Sequence, residues 1–131
     1  MRVRVPPPAP YAMTKLKLIT VHTLPFLVGI ALSYLFWGLP NLLLLFYLAL
    51  TALVVWYGKD RWTESLIFLY GIAAGFVVET LGTQVSGYQS FALPQVLGIP
   101  YWLLVSWGYG FILMKRIGLI IGTGSPWTVR P

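Results

Sequence analysis

The sequence predicts an all-α, polytopic membrane protein: a four-helix transmembrane bundle with both termini in the cytoplasm. Three observations predict it. The chain is 58% hydrophobic and only 9% charged, with a mean hydropathy of +0.79, whereas about a quarter of a soluble domain's residues carry charge. Four apolar stretches, suited to a hydrocarbon layer of ~30 Å, are separated by turn-forming segments. All nine basic residues fall before the first stretch, between the second and third, or after the fourth. Lys and Arg flanks resist translocation, so that side is expected to be cytoplasmic and the host membrane the cell (inner) membrane. With 131 residues, one domain is expected.

Composition also narrows function. A net charge of +6 would ordinarily suggest nucleic acid. Here the basic residues flank apolar runs instead of forming a stripe beside stacking aromatics, so no nucleic-acid partner is expected. There is no cysteine, and one histidine with three acids argues against a resident metal. No nucleotide loop occurs and no cofactor is expected. The expected surroundings are the lipid bilayer, with a homo-oligomer or a larger membrane complex as the protein partner.

Each element follows from local chemistry. Residues 1–12 are Pro-rich and basic, a composition that supports neither helix nor core, and residues 1–17 are expected to form a disordered tail. Met13 followed by Thr14-Lys15-Leu16-Lys17 looks like a natural beginning. The membrane domain is expected over 18–122. Its first span covers about 18–39 and runs on past the weakly cleavage-like Ala31-Leu32-Ser33, as an uncleaved helix does and a signal peptide does not. Pro25 removes one backbone bond near Val21 and is expected to kink it. Gly38-Leu39-Pro40-Asn41 supplies a turn with Asn41 as candidate cap for the second span, about 42–57. Charged residues 58–64 lead into the third span, about 65–86. A charge-free loop rich in Gln, Tyr, Pro and Gly follows, and Pro100 opens the fourth span, about 100–116. Lys115 and Arg116 are expected to snorkel toward the headgroups, and 123–131 to form a C-terminal tail.

The third span carries Glu79, well inside the apolar run. A carboxyl at that depth costs about 2.5–3.5 kcal/mol on insertion scales, so it is expected to face protein. Gly71, Gly75, Gly82, Thr83 and Ser86 share its face at helical spacing, and such small residues let another backbone approach closely. Counting the same depth down the other spans reaches Ser33 and Tyr34, Tyr47 and Thr51, then Ser106, Trp107 and Tyr109. His22 lies about ten residues from that level, ~15 Å by helix rise, and is read as an interfacial histidine. With no cation at its depth, Glu79 is expected to keep its proton. The candidate catalytic set is therefore Glu79 as proton donor with Tyr109, Trp107 and Ser106. The candidate substrate-binding set is Thr83, Tyr88 and Tyr34.

The run Gly75-Phe76-Val77-Val78-Glu79-Thr80-Leu81-Gly82-Thr83, then Gly87-Tyr88, Leu97-Gly98-Ile99-Pro100-Tyr101-Trp102-Leu103 and Trp107-Gly108, resembles small bacterial four-helix membrane proteins with an acid–Gly pattern, an aromatic loop and a Gly-x-Pro–Trp–Gly helix start. More distantly it is similar to the carotenoid hydratase family of the bisanhydrobacterioruberin hydratase type, whose members have more helices. That resemblance implies a membrane enzyme acting on a lipid-soluble isoprenoid-like substrate, with Glu79 at the position matching an acid. Three functions are thus in view. The first is an accessory or assembly subunit packing through the Gly-rich face of the third helix. The others are an isoprenoid-directed enzyme with Glu79 as proton donor, and a small proton- or cation-coupled transporter subunit.

Overall fold

A computed structural model describes residues 10–128 of the chain, with side chains from position 14. It is all-helical, and all four helices are long and apolar enough to cross a membrane. Helix α1 spans Pro10–Phe36, α2 Pro40–Tyr57, α3 Arg61–Thr80 and α4 Tyr101–Thr123, with a π-helical turn at Leu81–Val85 extending α3. Residues 1–9 of the expected tail, with Arg2 and Arg4, and Arg130 at the other end lie outside the described residues.

Three boundaries differ from the sequence expectation. Helix α1 begins at Pro10, not Leu18, because proline's fixed φ suits a first turn, where no N–H is needed. Asn41 does not cap α2, which starts at Pro40 with Leu39 at the N-cap position. Its carboxamide oxygen instead accepts from Gln95 Nε2 at 2.8 Å, tying the α3–α4 loop to the α1–α2 turn. Helix α4 runs 23 residues, about 35 Å at 1.5 Å per residue, so it passes straight through Lys115 and Arg116.

That continuation turns both cations inward, correcting the expectation that they snorkel. Arg116 grips the fully buried Glu64 with both arms, Nε to Oε1 at 2.7 Å and Nη2 to Oε2 at 2.6 Å. Its Nη2 also donates to the Val54 carbonyl at 2.7 Å, and its guanidinium lies 4.7 Å over the Trp127 ring. Lys115 Nζ donates to Asp60 at 2.8 Å and to Glu64 at 3.2 Å. A charged side chain passing an acid on the neighbouring helix gains more by pairing than by stretching to the interface, provided both ends of the pair are satisfied. Burial by itself opposes a charge on Asp60, but the Lys115 ammonium and the Thr128 amide outweigh it and hold its carboxyl at about 2.

Helix α4 is the hub. It packs most extensively on α3, then on α2 and α1, while the backbones of α1 and α3 do not approach each other closely among the described residues. Leu43, Tyr47, Val105, Tyr109 and Leu113 form the buried core between α2 and α4. On the other side, α3 and α4 meet backbone to backbone, since a Cβ on Gly71 would stand 2.7 Å from Gly108 Cα. Only small residues permit that approach. The ordering of helices around α4 leaves one strip of it uncovered, between α1 and α3. That strip positions the candidate site.

Candidate functional site

Glu79 sits in the last turn of α3 and is 7% exposed. Two side chains hold its carboxyl. Trp107 of α4 donates its indole N–H to Oε1 at 2.8 Å, and Gln89 of the α3–α4 loop donates its side-chain amide N–H to Oε2. The glycines one turn to either side of Glu79 are the sockets for these donors. A Cβ on Gly75 would lie 2.3 Å from Trp107 Cγ, and one on Gly82 2.6 Å from Gln89 Nε2. Any larger residue at either position would push a donor away from the acid.

The backbone just beyond Glu79 is specialised as well. The helix widens into a π turn at Leu81–Val85, with the Ser86 amide bonded to the Leu81 carbonyl at 2.9 Å. Such turns are uncommon and often mark functional sites. Gln84 Nε2 donates to the Leu97 carbonyl at 2.7 Å, and the Gln89 amide to the Gly82 carbonyl at 3.4 Å. These bonds tie the loop to the end of α3 and set Gln89 over the acid.

Glu79 also opens onto a recess of about 390 Å³ lined by Phe26, Leu103, Ser106, Trp107, Gly110, Phe111 and Met114. This is the uncovered strip of α4, walled by α1 on one side and α3 on the other. Its lining is aromatic and aliphatic apart from Glu79, the Trp107 N–H and the Ser106 hydroxyl. A larger groove of about 590 Å³ adjoins it between α3 and α4, sharing Phe111 and Met114. The charged group of that second groove is Lys115, already paired with Asp60 and Glu64. Of the two, the recess whose acid lacks an ion-pair partner among the described residues is that of Glu79.

The sequence-derived candidates separate in the structure. Trp107 reaches the carboxyl, and Ser106 lines the same recess while donating to the Leu103 carbonyl at 2.6 Å. Thr83 donates to the main-chain carbonyl of Glu79 at 2.8 Å, so it braces the backbone and not the carboxyl. Tyr88 is 71% exposed, though its hydroxyl borders the Gly82 socket. Tyr34 is 81% exposed on α1 and lines none of these recesses. Tyr109 points to the opposite side of α4, where its hydroxyl donates to the Pro25 carbonyl at 2.6 Å. There it meets Tyr47, which bonds both the Gly29 carbonyl at 2.9 Å and Ser33 at 2.7 Å. His22 bonds the Leu18 carbonyl of its own helix at 3.0 Å and meets the Trp127 ring edge-on, far from this site in the fold. Gln89 is the residue the sequence did not single out, although a polar, uncharged loop following an acid-bearing helix was the available signal.

Charge accounting gives the site its character. Of the chain's three acids, Asp60 and Glu64 are neutralised by Lys115 and Arg116. Glu79 has no cationic partner among the described residues. Each of its oxygens uses one lone pair on a donor and keeps capacity for another. Gln89 can also turn its carboxamide over and offer a carbonyl in place of an N–H, so it can satisfy the acid with or without a proton. No protein family, curated protein or solved structure matches the chain.

Proposed function

We propose that this chain is a multi-pass protein of the cell membrane, basic end in the cytoplasm, that admits a lipid-borne molecule to the recess beside α4 and meets it with Glu79. The observation that carries the reading is the held but uncompensated carboxyl on the wall of an apolar recess. An acid that served only as glue would present nothing to a cavity, whereas Glu79 bonds α4 through Trp107 and also lines the recess. The six basic residues that are described all belong to the end of the bundle where α1 and α3 start and α2 and α4 finish, which supports the cytoplasmic assignment. Proton donation from Glu79 to an isoprenoid double bond, implied by the hydratase resemblance, would be one chemistry begun by such binding; coupled transport would be another. Both need the binding step.

The packing of the glycine face favours the binding reading over an accessory subunit that packs through it. Gly71 and Gly75 are covered by α4, and Gly82 by Gln89. A partner cannot reach them without dismantling the bundle.

The binding reading is tested with a photoreactive alkyl diazirine incorporated into proteoliposomes. Labelling is expected at Phe26, Leu103, Trp107 or Met114 in the wild type. It is expected to vanish in Gly110→Phe, because a Cβ at Gly110 meets nothing within 4 Å and a ring there can fill the recess without disturbing the fold. Equal labelling of these residues in both proteins would refute the reading.

A further inference from the structure

We propose that the ligand of this recess is a lipophilic organic cation, its charge set against Glu79 and its apolar groups against Phe26, Trp107, Phe111 and Met114. The inference rests on the binding reading above and adds the chemistry of the occupant. Three features converge on positive charge. Glu79 is the one acid whose counter-charge is missing among the described residues, and the two cations that neutralise the other two acids, Lys115 and Arg116, are spent on them. The groups that bond its carboxyl are neutral, Trp107 from α4 and Gln89 from the loop, and so are the other residues lining the recess, Ser106 of α4 and Phe26 of α1 among them. Finally, three of the lining residues are aromatic, and ring faces attract cations, the more so where water is excluded.

Alternatives fit less well. An anion would find no basic side chain in the lining and, in Glu79, an acid that can offer it no opposite charge. A neutral hydrocarbon would use the apolar walls but leave the acid, with its two dedicated donors and two glycine sockets, without a role. A small hydrated metal ion would find only a single carboxylate, too few oxygens for its shell. A bulky cation with a thin hydration shell asks for what is present: one carboxylate, ring faces and a soft thioether.

The test uses a pair of probes with one shape and opposite charges, tetraphenylphosphonium and tetraphenylborate, on the purified full chain in neutral detergent. Binding is read by equilibrium dialysis with the labelled ions. Tetraphenylphosphonium is expected to bind at one site and to be weakened about tenfold or more by Glu79→Gln, which preserves size and hydrogen bonding and removes the charge. Gly110→Phe should abolish binding in a protein that melts as the wild type does. The chain's net charge of +6 works against a cation, so a preference for one reports the local acid. Cation binding indifferent to Glu79→Gln, or equal binding of the two ions, would overturn the inference. If the diazirine label still enters the recess in that case, the binding reading stands and only the charge of the ligand is wrong. If both probes fail, the recess is not a ligand site.

Discussion

Replacing Glu64 by glutamine should be among the most damaging conservative changes in this chain. Glu64 has no exposed surface and accepts from Arg116 at 2.7 and 2.6 Å and from Lys115 at 3.2 Å. Glutamine keeps the size but removes the charge, and its NH2 must point at a guanidinium or an ammonium. Arg116 then stays buried with one neutral acceptor from the side chain and the Val54 carbonyl. Removing one member of a buried ion pair typically costs about 3–5 kcal/mol, mostly from the charge left behind. The double variant Glu64→Leu with Arg116→Met removes both charges and should recover most of that loss. It should remain about 1 kcal/mol below wild type, because the Val54 carbonyl loses its donor while Lys115 keeps Asp60. Unfolding by SDS titration in mixed micelles, followed by circular dichroism, measures all three proteins. A loss under about 1 kcal/mol for the single variant, or a double variant no better than the single, would refute the reasoning.

Stability should also fall in acid through Asp60. Its folded carboxyl is held at about 2 against an ordinary 3.8, so its contribution is present above about 4 and lost as pH drops toward 2. The amount is on the order of 1–2 kcal/mol at the end of the bundle, and Asp60→Asn should flatten that part of a melting-temperature profile against pH. Gly75→Leu should destabilise by more than 3 kcal/mol, because its side chain must displace Trp107, whereas Gly110→Leu, facing open space, should cost under about 1 kcal/mol in the same assay. Thr80 Oγ1 is buried without a hydrogen-bond partner among the described residues. Thr80→Val, of nearly the same shape, should therefore leave stability unchanged or raise it by up to about 1 kcal/mol, and a clear loss would expose a missed bond.

Depth along a helix was readable from the sequence, but direction around it was not. Four apolar runs and the placement of the basic residues led to four helices, and counting from helix ends set Glu79 level with Ser106, Trp107 and Tyr109. Successive residues on a helix point about 100° apart, so these three cannot all face one carboxyl. Trp107 faces α3, Tyr109 faces α1 and α2, and Ser106 faces the uncovered strip between. The choice depends on how α4 is wedged among its neighbours, which one sequence does not state. The ion cluster was hidden for a different reason. Asp60 and Glu64 read as loop charges and Lys115 and Arg116 as headgroup seekers, although the same depth count would have set all four at one level. The π turn after Glu79 and the fold-back of Gln89 left no mark in apolar periodicity.

The energetics of Glu79 argue that the fold does not need it. Placing a carboxyl at that depth costs about 2.5–3.5 kcal/mol, and hydrogen bonds to a charged group return about 1.5–3 kcal/mol each. Two such bonds, about 3–6 kcal/mol together, offset the penalty and leave at most about 3 kcal/mol. The arrangement nevertheless claims an indole, a loop carboxamide, two glycines that can be nothing larger and a π turn. An apolar residue packed against an apolar loop would give the same stability from fewer constraints. The ion cluster at the other end differs in kind, because its charges cancel internally and join α2, α3, α4 and the C-terminal segment. One polar site therefore closes on itself and fastens the bundle. The other stays open toward a recess, with lone pairs unspent and no countercharge among the described residues, the state that the proposed ligand would complete.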